Sequence, residues 1–367
     1  MMTENAEHLY VHVPFCRTIC YYCDFCHVVY REEQAEEWLQ ALQRETELLS
    51  GDKAMRTVYI GGGTPNSLSD DQFARFFSLF QGLCAKDGEF TAEVNPEHLT
   101  AFQADVMKAC GVNRISMGFQ SADDRELQMM NRHHTAADVR DAMHILRERG
   151  IDNISLDLMY SLPGQTLASL RRSMETAVSL QPDHLSLYSL TVEENSVFGR
   201  KGYRSCDEDT EADMYEMICR ELPKYGYKQY EVSNFARNGR ESMHNKAYWE
   251  YKDFYGLSAG ASGKTGNIRY DKPKNIRAYI EDPFAREETL LSTEDMMFEH
   301  LMMSLRMKRG LNLQAFEARY GTTVSEVWPD TLSACISEGL LEINDRYLRL
   351  TDRGYPVMNE VLIRFLP

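Results

Sequence analysis

The stretch Val13-Pro14-Phe15-Cys16-Arg17-Thr18-Ile19-Cys20-Tyr21-Tyr22-Cys23-Asp24-Phe25-Cys26 carries the spacing C-x3-C-x2-C, with one more cysteine three positions on. Four cysteines within eleven residues point to metal or redox chemistry rather than to disulfides. Zinc is the plain alternative, but structural zinc usually takes its ligands from two separated C-x2-C knuckles. The remaining five cysteines, Cys84, Cys110, Cys206, Cys219 and Cys335, are singletons that make no second knuckle. Each reads as a small buried apolar residue. Three thiolates in one short loop suit a cubane iron–sulfur cluster, with three irons tied down and the fourth open to a substrate. A fourth ligand at Cys26 would close that iron, so Cys26 reads as a nearby free thiol.

Outward from this loop the chain alternates between two periods. Leu9–Val13 reads as a strand and Glu33–Leu49 as a helix with Trp38, Leu39 and Leu42 on one face. Thr57–Ile60 is followed by the helix Leu68–Phe80, capped by Ser69 with Asp70 and Asp71 in its first turn. The pairs Glu89–Val94 with Thr100–Cys110, Arg114–Phe119 with Thr135–Arg149, Asn153–Tyr160 with Leu167–Leu180, and His184–Val192 with Asp207–Lys224 complete six strand–helix units. Such alternation builds a parallel sheet, either doubly wound or a partial barrel. Unusual residues gather just after the strands, at Cys16–Cys26, Gly61–Pro65, Asn95, Gln120, Pro163 and Thr191. Barrels concentrate their chemistry at that end. The expected fold is α/β, a partial (β/α)6 barrel over residues 1–230, an irregular connector over 231–292, and a C-terminal, mainly helical, winged-helix-like module over 293–367.

The 367 residues are 43% hydrophobic and 26% charged, an ordinary globular composition that excludes disordered and collagen-like classes. The net charge of −16 opposes general nucleic-acid binding. Within Glu294–Pro367, 8 Lys and Arg face 11 Asp and Glu, so this module reads as a packing or protein-contact unit rather than a DNA reader. No apolar run is long enough to span a bilayer, and the polar, acidic start of the chain is no secretory signal. The expectation is a cytoplasmic protein.

C-x3-C-x2-C after the first strand of a β/α chain resembles the radical S-adenosylmethionine (radical SAM) superfamily. The match continues through Gly61-Gly62-Gly63-Thr64-Pro65, similar to that family's GGGTP segment; through Glu93-Val94-Asn95-Pro96; through Asn113–Ser121; through Asn131-Arg132-His133-His134; and through Asp157–Thr166. These resemble the branch that holds oxygen-independent coproporphyrinogen III oxidase and the HemW haem chaperones. The resemblance implies a [4Fe–4S] cluster on Cys16, Cys20 and Cys23, whose open iron chelates S-adenosylmethionine. An electron from the cluster would then break the sulfonium C–S bond and yield a 5′-deoxyadenosyl radical. It further implies that Tyr10, Gly62 and Glu93 contact the cluster-bound S-adenosylmethionine. Gly63, Thr64, Gln120, Arg132 and Asp157 would line the adenosyl side or a second nucleotide. The residue types suit those tasks: Asp for ribose hydroxyls, Arg for a carboxylate, Gln for amide-like hydrogen bonds.

Two features separate the branches. The oxidase has a further cysteine two positions after the third; here that place is Phe25. His244-Asn245-Lys246-Ala247-Tyr248-Trp249 is similar to the HNxxYW segment of HemW-type proteins, as are Tyr188–Glu194 and Tyr230–Ala236. HemW-type proteins usually carry a small polar residue after Asp-Phe, and Cys26 departs from that. An imidazole can ligate haem iron and aromatic rings can stack on the macrocycle. His244, Tyr248 and Trp249 are therefore the expected haem contacts. The alternative for them is ordinary packing onto the barrel. His133 and His134 are the rival ligands, and His12 reads as a hydrogen-bonding support of the cluster. The resemblance implies a haem chaperone that delivers haem to recipient haem proteins. It further implies an electron donor such as flavodoxin or ferredoxin, a homodimer, and at most transient membrane contact. The alternatives are an enzyme acting on a porphyrin, by decarboxylating coproporphyrinogen III or opening haem, and, more distantly, a radical methyltransferase.

Overall fold

Side chains alternate across a strand, and in the first six strands this alternation sorts apolar from polar residues. In the computed structural model, which describes residues 6–49 and 54–366, β1 (His8–Val13) sends Leu9, Val11 and Val13 into the core and leaves His8, Tyr10 and His12 on its other face. The same holds for β2 (Met55–Gly62), with Val58 and Ile60 against Thr57, Tyr59 and Gly61. In β3 (Cys84–Val94), Phe90, Ala92 and Val94 oppose Glu89, Thr91 and Glu93. The pattern continues in β4 (Arg114–Gln120), β5 (Asn153–Tyr160) and β6 (His184–Ser189). The apolar faces share one core with Trp38, Phe73, Met107, Leu146, Leu170 and Ile218 of the helices. The polar faces turn inward and bond to one another. Residues 1–5, on which the reading of the chain's start partly rests, lie outside the described residues.

The helices are α1 (Glu32–Thr46), α2 (Asp70–Ser78), α3 (Ala101–Ala109), α4 (Ala136–Glu148), α5 (Leu167–Ser179) and α6 (Glu208–Glu221). Their starts are written locally. Ser69 caps α2 as expected, and Thr100, Thr135 and Thr166 form capping boxes on α3, α4 and α5. Each such cap stabilises its helix by about 1 kcal/mol.

β1 to β6 pair in sequential order, every neighbour parallel. A doubly wound sheet reverses its order at a switch point; this one does not, which settles the choice in favour of the partial barrel. Residues 231–292, expected as an irregular connector, are more regular than that. Phe254–Leu257 pairs parallel with β1 on its free edge, and Ser262–Thr265, Ile268–Asp271 and Glu287–Leu290 extend the sheet antiparallel. At the other end Asn234–Ala236 adds antiparallel to β6, and Lys228–Gln229 follows. The order begins and ends on different strands, so the sheet stays open.

Four helical segments, Thr293–Leu305, Leu313–Tyr320, Val324–Val327 and Pro329–Ser337, precede a hairpin of Leu341–Asn344 and Tyr347–Leu350, and Leu311–Asn312 pairs with the hairpin's second strand. The module has its own core, built on Leu301, Leu305, Phe316, Leu348 and Val361. It is tied to the barrel by a bridge between Glu231 and Met307. Among the described residues no helix is long and apolar enough to cross a membrane.

Candidate cofactor site

The cysteine loop leaves the C-terminal end of β1 and is closed at its base by a short parallel pairing of Phe15–Cys16 with Val28–Val29. Its tip is pinned from outside: Tyr21 N–H donates to the Met130 carbonyl at 3.0 Å, and the Asn131 side chain donates to the Ile19 carbonyl at 2.8 Å. The glycine run after β2 lies against the loop, with Gly63 N–H on the Val13 carbonyl and Thr64 N–H on the Phe15 carbonyl, both at 2.7 Å. A Cβ on Gly63 would stand 2.6 Å from the Phe15 carbonyl and 3.1 Å from the Cys16 sulfur. Only glycine allows that approach.

Cys16, Cys20 and Cys23 share one cavity of about 460 Å³ at the barrel mouth, and Gly62, Gly63, Thr64, Glu93, Gln120, Arg132 and Asp157 line the same space. Ten of the expected residues therefore converge. Burial pushes the Cys16 thiol up to about 11 and the Cys23 thiol up to about 12. Thiols so placed ionise when metal displaces the proton. Thr64 Oγ1 donates to the Cys16 sulfur at 3.6 Å, and an Arg132 N–H donates to the Cys20 sulfur at 3.6 Å. The Arg132 Nε is buried with no partner among the described residues, a donor left for a ligand in the cavity. These features fit a thiolate-bound cluster with an anionic ligand beside it. Among the described residues no three His, Cys, Asp or Glu side chains converge on a single ion.

The two acids of the site are buried. Glu93 accepts from the Tyr59 hydroxyl at 2.7 Å and from Gly62 N–H at 3.1 Å. Burial pushes its carboxyl up to about 7 against those two donors. Asp157 accepts from Ser116 Oγ at 2.9 Å, and burial raises it as well. Gln120 takes a left-handed φ of 60°, where the pairing of β4 with β5 shifts register. That bulge is how a strand end re-aims a side chain.

Tyr10 does not line the cavity. Its hydroxyl bonds His12 Nδ1 at 2.9 Å, and His12 Nε2 bonds the Cys26 carbonyl at 2.7 Å. His12 thus supports the end of the cysteine loop through its backbone. The Cys26 sulfur points away from the cavity and donates to the Lys274 carbonyl at 3.0 Å. Phe25 stands at the rim, 63% exposed. His134 bonds the Phe119 carbonyl at 3.0 Å.

His244, Tyr248 and Trp249 lie elsewhere. They belong to helix α7 (Met243–Trp249), which sits beneath the N-terminal ends of the barrel strands. His244 is buried; Nδ1 bonds Thr57 Oγ1 at 2.7 Å and Nε2 bonds the Tyr248 hydroxyl at 2.8 Å. Burial holds the ring well below its usual pKa, hence neutral. Trp249 packs toward the C-terminal module, with the Arg306 guanidinium 4.9 Å above its ring. As placed, neither His244 nitrogen is free for a metal.

Sequence reasoning passed over Tyr59, although its signal was available: Thr57, Tyr59 and Gly61 are alternate non-aliphatic positions in an apolar strand.

Residues 10–177 match the family model of the Radical SAM superfamily, and residues 291–357 that of the HemN C-terminal domain. The chain is 37% identical to the heme chaperone HemW of Bacillus subtilis (strain 168), over 97% of its own length and 98% of that protein. The chain belongs to the HemW family of the radical SAM superfamily. Identity to the HemW of Escherichia coli (strain K12) is 31%, covering 98% of this chain and 97% of that one. A mouse relative, radical S-adenosyl methionine domain-containing protein 1, mitochondrial, is 32% identical over 98% of this chain and 87% of its own. In fold, this HemW-family chain is similar to coproporphyrinogen III oxidase (HemN) from Escherichia coli, with a TM-score of 0.85 at 22% identity over 99% of this chain and 90% of the other.

Proposed function

We propose that the protein carries haem to recipient haem proteins and holds a [4Fe–4S] cluster and S-adenosylmethionine in the cysteine-lined cavity. One observation carries the cofactor half: three loop cysteines, a buried arginine with an unpartnered Nε, and two buried acids face one space. The names of the relatives support the haem half. Bound together, cluster and S-adenosylmethionine supply one-electron chemistry at a sulfonium. Cys16, Cys20 and Cys23 hold the cluster. Arg132 keeps positive charge beside Cys20 and offers its Nε–H to an acceptor on the ligand. Gly62 and Gly63 keep the wall free of side chains. Glu93 receives the amino end, Asp157 the ribose hydroxyls, and Thr64 and Gln120 the remaining polar edge. Tyr10 acts on this wall through His12.

Phe25 in place of a further cysteine supports carriage over the oxidase reaction. The setting proposed is the cytoplasm, with reduction by a flavodoxin or ferredoxin and a homodimer as the carrying form. After anaerobic reconstitution the protein should hold about four iron and four sulfide per chain, the composition of one cubane. The electron paramagnetic resonance of the reduced cluster should change on adding S-adenosylmethionine, and haem titration should give a saturable Soret band. A protein that saturates with no haem loses the chaperone reading. One whose reduced cluster ignores S-adenosylmethionine loses the cofactor reading.

A further inference from the structure

Two polar lines descend from the cofactor cavity through the barrel, and both end on α7. The first starts at Glu93, whose carboxylate accepts from the Tyr59 hydroxyl at 2.7 Å. The Tyr59 ring lies flat on the His244 ring, centroids 5.0 Å apart and planes 28° from parallel. His244 is held on both nitrogens, by Thr57 and Tyr248, and its backbone N–H donates to Glu89 at 3.0 Å. The second line starts at Asp157, which accepts from Ser155 Oγ at 3.4 Å. Ser155 bonds His184 Nδ1 at 2.8 Å, and His184 Nε2 bonds the Tyr230 hydroxyl at 2.9 Å. That hydroxyl accepts from the backbone N–H of Ser242, the residue that caps α7, at 3.2 Å.

This arrangement is built. A Cβ on Gly61 would stand 2.7 Å from the Glu93 carboxyl and 2.8 Å from the Tyr59 ring, so glycine is what lets the two meet. The Glu89 carboxylate gathers Ser242 Oγ and the N–H groups of Met243 and His244, and Arg114 lies 3.9 Å away. The start of α7 is therefore fixed to the barrel floor by a buried carboxylate that accepts three hydrogen bonds from it, and hydrogen bonds in a low-dielectric interior hold their geometry strongly. A histidine with both nitrogens engaged and one face against a tyrosine acts by placing that tyrosine.

We infer that α7 is the positioning element of the cofactor cavity, and that His244 acts on Glu93 through Tyr59. The inference rests on the proposal that the cavity takes S-adenosylmethionine. His244 is a positioning residue here and supplies no bond to iron.

The test uses the full-length, anaerobically reconstituted protein and follows three readouts: cluster iron, the dissociation constant for S-adenosylmethionine, and the Soret band with added haem. Tyr59→Phe keeps the ring and removes the donor to Glu93; affinity for S-adenosylmethionine should fall about tenfold, the usual effect of losing one hydrogen bond to a charged group. His244→Ala should fall similarly, with cluster iron and the Soret band unchanged. The double variant should be no weaker than Tyr59→Phe alone, because both act along one line. His244→Phe, which restores a flat ring against Tyr59, should recover affinity to within about twofold of wild type, the precision of such comparisons. Should His244→Ala fail to fold, Thr57→Val removes the bonds to His244 Nδ1 and to His8 Nδ1 and should weaken S-adenosylmethionine in the same direction, whereas His8→Phe, which removes only the second, should leave it unchanged. Wild-type affinity in both His244→Ala and Thr57→Val overturns the inference. So do additive losses in the double variant, or a shifted Soret band with unchanged S-adenosylmethionine affinity, which would make His244 a haem ligand. A wild-type protein that binds no S-adenosylmethionine refutes the underlying proposal, and the inference with it.

Discussion

The guanidinium of Arg132 reaches the sulfur of Cys20 at 3.6 Å across 112 positions of sequence. A second N–H of the same group donates to the Gly118 carbonyl at 3.1 Å, so the charge is held in place by β4. A fixed positive charge beside a thiolate favours the reduced, more negative state of whatever the thiolate binds. Arg132→Met should therefore lower the midpoint potential of the cluster, by about 60 mV for each tenfold change in the one-electron reduction equilibrium. Arg132→Lys should recover much of the potential but not the affinity for S-adenosylmethionine, since the ammonium lacks the planar fork. Redox titration followed by electron paramagnetic resonance checks both. An unchanged potential in Arg132→Met would show that the contact does not tune the cluster.

The cysteines should separate cleanly. Cys16→Ala, Cys20→Ala and Cys23→Ala should each lose the cluster, read as iron content and absorbance after anaerobic reconstitution. Cys26→Ala should keep it, because the Cys26 sulfur is turned to the Lys274 carbonyl on the far side of the loop. Loss in Cys26→Ala together with retention in Cys23→Ala would reassign the ligands.

Gly63→Ala is the sharpest test of the wall opposite the loop. Its Cβ would meet two backbone carbonyls, of Phe15 at 2.6 Å and of Val13 at 2.7 Å, and neither is the end of a flexible side chain. The loop must shift, and iron content should fall by at least half while the far-ultraviolet spectrum stays native. Full cluster loading in Gly63→Ala would mean that the loop accommodates the methyl.

Two buried carboxyls give the protein a pH signature. Burial pushes Glu93 and Glu231 up to about 7, against about 4.3 in an unfolded chain. Between those values the folded state binds protons that the unfolded state has released, so stability falls as pH rises. The contribution is fully present below about 4.3 and lost as pH passes through 7. In urea unfolding of the cluster-free protein, Glu93→Gln should flatten this decline across pH 5–8, and Glu93→Gln with Glu231→Gln should flatten it further. A slope unaffected by both substitutions would show that neither carboxyl is protonated in the native state.

What was legible in the sequence follows from the range of the interactions. The six strand–helix units announce themselves because alternation and caps are local: Val58 and Ile60 against Thr57 and Tyr59, or Thr135 three residues before Asp138. The cysteine loop and the glycine run are local too, and they define one wall of the cavity. Phe254–Leu257 was illegible because it is four residues long and its partner, β1, lies about 245 positions away. Its Gly256, which weakens a strand reading, is there because a Cβ would stand 1.9 Å from the Ser262 carbonyl. The place of His244 was illegible for a similar reason. Imidazole beside Tyr and Trp reads as a ligand and stacking wall, whereas Thr57 and Tyr59, which decide its role, stand nearly 190 positions earlier.

Carriage and consumption of haem are separated most directly by one incubation. The reconstituted protein, loaded with haem, is held anaerobically with S-adenosylmethionine and a low-potential reductant, and the haem is then extracted and quantified. A parallel sample receives coproporphyrinogen III. The expected result is full recovery of intact haem, with its Soret band retained on the protein, and coproporphyrinogen III left unchanged. Time-dependent loss of haem with formation of an opened tetrapyrrole, or decarboxylation of coproporphyrinogen III, would contradict a carrier and establish an enzyme acting on porphyrins.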